Sequence, residues 1–347
     1  MSSGEQSGPP AWVEAAGTLE QLQRAATTFA LLGEAHRSGL LRAVLDAGPA
    51  ADSTADPAAL AEAVQVDAAR VEAVLLVLAA HGIVEQQEGG WRLAPGWSEL
   101  VGGGAPMSLP GVLGLGRVWA GQFGSALHGG QDYWELDATD RVDVATGISP
   151  DPFAPATTAM AGGLVASLPG VADALGAGGH ILELGCGLAS RLCALLRAYP
   201  RATAVGVELD AELVASAWRR AEQLGVADRL ELVVGDAADY RSATVFDVVN
   251  WSQFFFPAPT RAGALATAHA ALRPGGWVSM PVVWTGERPP PRTVEDQELA
   301  EMRLVLELWR VPMLSVAQVE AELTEAGFVD VHHEAAPGFH LVRGRRP

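Results

Sequence analysis

Between Leu182 and Ser190 the chain reads LELGCGLAS, an acid followed by glycines at alternate positions. Gly185 and Gly187 let a backbone approach a ligand closely, and Glu183 closes an apolar run as an acceptor for a cationic group. A glycine pair alone is a weak signal. It gains weight from Glu208, which closes the next apolar run 21 residues after Gly187, where a carboxylate can chelate two ribose hydroxyls. Asp236 follows a third run in VVGDAAD, placed to accept a hydrogen bond from an exocyclic adenine amine. The plainer reading of Glu208 and Asp236 is helix capping after a strand, although Asp210 already supplies that cap for the second helix.

Such residues need strands to present them. HILELG, ATAVGVE, RLELVVGD, VFDVVNW and WVSMPVVW read as buried strands. LASRLCALLRAY, AELVASAWRRAEQLG and TRAGALATAHAAL lie between them as helices, and LRPGGW from Leu272 reads as a tight turn before the fifth strand. The alternation predicts an α/β fold with a parallel sheet and ligands outside the carboxyl ends of its strands. Helices near Glu295–Trp309 and Val316–Ala326, then strands GFVDVHHE and FHLVRG around Pro337-Gly338, close the chain.

Taken in this order, the acid-x-Gly-x-Gly segment, the second-strand acid, the third-strand aspartate and the Pro-Gly-Gly turn resemble the class I S-adenosylmethionine-dependent methyltransferases, over residues 180–347. The family's third loop glycine is Ala189 here, and a nicotinamide-type loop is excluded because its third glycine would fall at Ser190. The resemblance implies a Rossmann-like sheet and S-adenosylmethionine as cofactor. It places Glu183 against the methionyl ammonium, the backbone of Gly185 and Gly187 beside it, Glu208 on the ribose, and Asp236 with Ala237 on the adenine edge. Leu209 and Asn250 complete the implied cofactor set.

The chain before this segment reads differently. FALLGEAHRSGLLRAVLDAG is one periodic helix, Asp56 caps a second with Pro57 at its first position, and Asp67 caps a third, AARVEAVLLVLAAHG. IVEQQEGGWRLAP then alternates around Gly89-Gly90 as a hairpin. The pattern is a winged helix over residues 20–100, behind a loose tail at 1–19. Residues 1–100 carry 13 acidic residues against five arginines, so nucleic-acid binding is disfavoured and dimerisation is expected. With this unit in front, the chain is similar to the dimeric small-molecule methyltransferases that tailor plant phenolics and bacterial natural products. Residues 101–179, rich in glycine and aromatics, form a helical linker whose Trp119, Phe123, Tyr133 and Trp134 either fill core or wall an apolar pocket.

Composition narrows the chemistry further. Every basic residue is an arginine, which excludes Schiff-base chemistry and a lysine-bearing phosphate loop. A net charge of −18 disfavours polyanionic partners. No apolar run reaches the roughly 18–20 residues of a membrane span, MSSGEQSGPP lacks the marks of a secretory signal, and the two cysteines suit a reduced compartment, so a cytoplasmic protein with no membrane partner is expected. No metal-ligand cluster is apparent.

The stretch DVVNWSQFFFPAP carries the last signal. Many phenolic O-methyltransferases hold a histidine base in the loop after the fourth strand, and counting from either side reaches Phe254 or Phe256 instead. His269 falls at the far end of the next helix, and His332 and His333 fall in the closing hairpin. His128 is a weak candidate. The expected acceptor pocket is apolar, drawn from Trp119, Phe123, Met160, Trp251, Gln253, Phe254, Phe255 and Met302, with one or two of the three phenylalanines facing it. It would take a small aromatic acceptor and act by orientation rather than by proton transfer. The alternatives are a non-methylating reaction on the same fold, or a ligand-sensing winged-helix regulator.

Overall fold

The computed structural model describes residues 10–47, 54–168, 170–286, 293–336 and 338–347, which fall into two compact units, Met1–Gly103 and Gly104–Pro347. The helical stretch read from sequence as a linker therefore belongs, from Gly104 on, to the second unit.

The first unit contains α1 (Ala11–Arg37), α2 (Leu40–Ala47), α3 (Pro57–Val64), α4 (Ala68–Ala80), β1 (Val84–Gln87), β2 (Gly90–Leu93) and α5 (Trp97–Gly102). Helix α1 corrects the expected tail, since residues 11–19 are helical; residues 1–9 lie outside the described residues. The single helix expected at Phe29 is broken at Gly39, which takes φ +80°. Asp56 and Asp67 cap α3 and α4 through the amides of Ala58 and of Ala69 and Arg70. The wing is the antiparallel pair β1–β2, joined by a bridge between Ala55 and Trp91. Gly90 is required there, because a Cβ would sit 2.2 Å from the Ala55 carbonyl oxygen.

The second unit runs through α6 (Leu109–Ser125), α7 (Ala138–Ile148), α8 (Pro155–Ala166), α9 (Val171–Ala177), β3 (His180–Leu184), α10 (Ser190–Ala198), β4 (Thr203–Glu208) and α11 (Ala211–Gln223). It continues with β5 (Leu230–Val234), β6 (Phe246–Trp251), α12 (Ala258–Ala271), β7 (Leu272–Val282), α13 (Val294–Leu308), α14 (Val316–Glu325), β8 (Val329–Ala336) and β9 (Phe339–Arg345). The strands form one sheet in the order β5-β4-β3-β6-β7-β9-β8. The first five are parallel and β9 and β8 are antiparallel additions.

Strand alternation sorts the core. Ile181, Ala204 and Val248 pack with Val165, Leu175, Leu192 and Leu196 on one face, while Leu182, Leu184, Val249 and Trp251 pack with Ala264, Leu265, Val319 and Leu323 on the other. Each fully buried Leu, Ile or Val contributes roughly 1.5–3 kcal/mol. The Pro-Gly-Gly segment does not precede the last parallel strand but interrupts it. Leu272 already pairs with Phe246, the register then jumps so that Trp277 faces Val248, and Gly275 takes φ +79°.

Candidate active site

β3 and β4 end side by side, and the turn after β3 is sewn onto β4. Gly185 N and Cys186 N both donate to the Val207 carbonyl, at 2.9 and 3.1 Å. Gly187 N donates to Glu208 Oε2 at 2.9 Å, and Asp210 N donates to Glu208 Oε1 at 3.0 Å. Burial raises the Glu208 carboxyl above its ordinary range, against the pull of the Asp210, Gly187 and Leu209 amides. Gly185 and Gly187 take φ +71° and +53°; no atom lies within 4 Å of where a Gly187 Cβ would be, so the turn opens onto free space. Ala189, where the related loop has glycine, adopts φ +51°, a left-handed conformation that costs an L-residue about 1–2 kcal/mol.

Glu183 is 3% exposed, and its Oε2 has no partner among the described residues. Arg191 stands 3.9 Å from the other oxygen. Burial pushes this carboxyl up to about 7, with Arg191 and the Ser252 hydroxyl pulling it down and Glu208 adding to the rise. Leu209 is 51% exposed beside Glu208 and Ala237 is buried. Asp236 is exposed, and its Oδ1 accepts from Ala238 N at 2.8 Å, so one of its oxygens already closes a local turn. Asn250 is buried beside Glu183 in the adjoining strand, where its Oδ1 accepts from Ser279 Oγ at 2.6 Å.

The turn after β6 leads into a cluster of rings, where the sequence places the acceptor pocket. Ser252 N donates to the Leu184 carbonyl at 3.0 Å, and Gln253–Phe255 then make a single 3-10 turn. Phe254 and Phe255 enter a cluster with Trp119, Phe123, Met302, Tyr133 and Trp309. Phe255 stacks on Trp309 with centroids 5.5 Å apart, and Tyr133 meets both edge-on at 5.0 and 5.2 Å. Phe256 turns the other way, 5.3 Å from Trp251, with its ring edge 2.9 Å from where a Gly185 Cβ would be. Burial, and then the charges of Glu208 and Asp210, raise the Tyr133 phenol above the ordinary range.

Residues 181–276 match the methyltransferase-domain family. Over 99 residues the chain is 35% identical to the uncharacterized protein YjhP of Escherichia coli (strain K12), covering 28% of this chain and 40% of that one, so it spans well under half of that relative's length. Three solved structures share the fold across nearly the whole chain. The mitomycin 7-O-methyltransferase MmcR is 18% identical over 97% of this chain and 99% of its own, with a TM-score of 0.70. Human N-acetylserotonin methyltransferase, in complex with S-adenosylmethionine, is 17% identical over 100% and 99%, with a TM-score of 0.68. NcsB1 of neocarzinostatin biosynthesis, with S-adenosylmethionine and 2-hydroxy-5-methyl naphthoic acid bound, is 19% identical over 92% and 96%, with a TM-score of 0.58. Residues 181–276 carry a methyltransferase domain, on a fold shared with solved methyltransferases, one of them in complex with S-adenosylmethionine.

The residues of the methyltransferase domain fit that cofactor. A buried carboxylate with an unpartnered oxygen suits an ammonium, the Glu208 oxygens keep lone-pair capacity beyond the main-chain amides they accept, and exposed Leu209 beside it is an apolar surface of the kind a purine packs on.

Other expected residues fall elsewhere. Trp251 is fully buried in the core beneath the ring cluster, and Gln253 is 1% exposed with its side chain held by Arg261 and Pro281. Met160 is exposed on α8, outside the cluster. His128 is exposed at the end of the 3-10 turn after α6, and His269 packs on Phe328 at 5.1 Å near the end of α12. His333 pairs with Glu320 at 2.8 Å, and His332 with the Asp330 carbonyl at 2.7 Å. His269, His332 and His333 thus meet partners that are not members of the ring cluster.

Trp309 gave no signal in the sequence, being one apolar residue at the end of an amphipathic helix. Nor did Arg141 on α7, which donates to Asp210 Oδ2 at 2.5 Å and to the Leu136 carbonyl. An open cavity of about 820 Å³ runs along β4 and β5 and reaches Asp236, apart from the ring cluster. Among the described residues no single helix is long and apolar enough to cross a membrane, and no group of three or more His, Cys, Asp or Glu side chains is arranged to hold a metal ion.

Proposed function

We propose that this methyltransferase alkylates a small aromatic natural product, held between Phe254, Phe255, Trp119 and Phe123, without a histidine base. The observation that carries the reading is the split of the three phenylalanines: two build the ring cluster, while the third packs on the glycine turn of the cofactor floor. Bound S-adenosylmethionine supplies an electrophilic methyl group on a sulfonium. The chain holds it through Glu183, Glu208 and the turn amides, and excludes water with rings whose faces also suit a cation. Holding a nucleophile in line can supply roughly 7–11 kcal/mol without any proton transfer. The acceptor's proton, where it has one to lose, then leaves to solvent. The naphthoic acid bound to NcsB1 and the mitomycin named for MmcR support an acceptor of natural-product size.

We further propose a homodimer formed through α1. Trp12, Leu19 and Leu22 are 70%, 68% and 64% exposed, and with Phe29 they fall at heptad-like spacing along one stripe of the helix. Light scattering of the full chain should give twice the chain mass at micromolar concentration, and a Leu19→Glu/Leu22→Glu variant should give one chain mass. The buried, unpaired thiols of Cys186 and Cys193 support a cytoplasmic setting.

The direct test of the chemistry is incubation with methyl-labelled S-adenosylmethionine and a panel of phenols, aromatic amines and keto acids, read by mass spectrometry. A labelled methyl product with S-adenosylhomocysteine supports the reading. A product altered without gaining the label would transfer the fold to another reaction.

A further inference from the structure

We infer that Arg261 is the positioning residue of the acceptor wall: its guanidinium holds the turn that aims Phe254 and Phe255. The inference rests on reading those two rings as the wall, as proposed above.

Arg261 lies in the first turn of α12 and is 3% exposed. Burying a guanidinium is costly unless its donors are engaged, and here both of its edges are. Nε and Nη2 grip the two oxygens of Glu322 on α14, at 2.9 and 2.6 Å. Nη1 donates to the Gln253 side-chain oxygen at 3.0 Å and to the Gln253 carbonyl at 3.3 Å. That same carbonyl accepts Phe256 N at 3.3 Å, so the cation meets the 3-10 turn at the oxygen that closes it. The guanidinium carbon lies over the Trp251 ring, 4.7 Å from its centroid, and Gln253 Nε2 reaches on to the Pro281 carbonyl of β7 at 3.1 Å.

Packing alone does not account for this arrangement. A leucine would fill the space without desolvating two charges, and the first turn of a helix disfavours a cation. What an apolar residue lacks is the planar fork, one edge on an acid and the other on a main-chain carbonyl, and lysine lacks it as well. The turn is thus pinned before its rings by Ser252 N on Leu184 and by Arg261 on the Gln253 carbonyl, and closed after them by Phe256 N on that same carbonyl. Phe254 and Phe255 are the two residues between these anchors.

The test labels the nine phenylalanines of the full chain with 4-fluorophenylalanine and assigns their ¹⁹F resonances by single Phe→Leu replacements. It compares wild type, Arg261→Lys, and the double variant Arg261→Met/Glu322→Leu, which removes both charges together and so leaves no buried ion unpaired. S-adenosylhomocysteine titrations by calorimetry accompany each protein. Sharp Phe254 and Phe255 lines in wild type that broaden or split in both variants, with Phe328 and Phe246 unmoved and cofactor affinity within a few-fold, support the clamp. With the acceptor found by the panel, kcat should fall on the order of tenfold to a hundredfold while KM for S-adenosylmethionine holds. Unmoved Phe254 and Phe255 lines in a double variant that melts near wild type overturn it. The ¹⁹F readout needs no acceptor. If the lines broaden but no panel member is methylated, the clamp stands and the proposed reaction falls; if methylation proceeds and the lines stay sharp, the reverse holds.

Discussion

The two ends of the site are held in place by different forces. At the cofactor end, main-chain amides and one carboxylate fix the floor: Gly185, Cys186 and Gly187 donate to β4, and Glu208 straps the glycine turn to Asp210. At the proposed acceptor end, rings from α6, from the turn after β6, from the segment at Tyr133 and from the end of α13 meet one another by packing, and hydrogen bonds reach only the turn that carries two of them. Hydrogen bonds set distances tightly and leave little freedom for substitution, whereas ring packing supplies area with weak directionality. Under the proposed function, the floor suits one constant ligand, and the wall is free to change with the acceptor. Phe256 is the point of contact, because it packs on Gly185 while its two neighbours face the other way.

That division can be broken from either side. The largest effect is expected at the wall: Phe254→Ala or Phe255→Ala should lower turnover by about a hundredfold through misplacement of the acceptor, with S-adenosylhomocysteine affinity unchanged. Steady-state rates and calorimetry on the same preparations would check both halves. Cofactor affinity falling in step with turnover would mean the ends are not separate.

A smaller effect is expected at Glu183, whose carboxyl sits at about 7 in the free chain because of its burial. The ammonium selects the ionised form, so affinity for S-adenosylmethionine should rise severalfold between about pH 5.5 and 7, with proton release on binding. The same shift acts on stability with the opposite sense. A carboxyl raised from 4.5 to about 7 binds its proton more tightly folded than unfolded, so its contribution is present below about pH 4.5 and is lost as pH rises from there to about 7. Glu183→Gln should flatten both slopes, measured by titration in two buffers and by melting against pH.

The smallest effect sharpens the comparison. A general base is worth about 10²–10⁴-fold, so His128→Ala and His269→Ala should leave rates nearly unchanged if orientation does the catalysis. A loss of that size in either variant would restore proton transfer to the mechanism.

The floor was legible in the sequence because its residues sit at strand ends, where apolar runs stop and glycines and acids begin. The wall was legible only in part. Trp251 was assigned to the pocket, yet strand alternation puts it on the face of Val249, toward Ala264 and Leu265 rather than toward Tyr133. Phe254 and Phe255 were expected there, but Trp309 and Tyr133 are brought in from remote parts of the chain by packing, which has no local signature. Arg261 is the clearest case: an arginine in a helix first turn reads as solvated, and its burial is explained by Gln253 together with Glu322, which lies 61 residues on. The first helix is longer than its expected start at Phe29, since before that residue large apolar side chains are sparse among alanines and polar residues that themselves have good helix propensity.

The most direct measurement is calorimetric titration of S-adenosylmethionine into wild type, Glu208→Gln and Glu208→Ala, with melting curves to confirm that each protein is folded. If Glu208 both straps the glycine turn and holds the cofactor, affinity should fall in Glu208→Ala by roughly 1.5–3 kcal/mol, about tenfold to a hundredfold or slightly more, and by less in Glu208→Gln, which keeps one acceptor. Unchanged affinity in a folded Glu208→Ala protein would contradict the assignment of this floor to the cofactor.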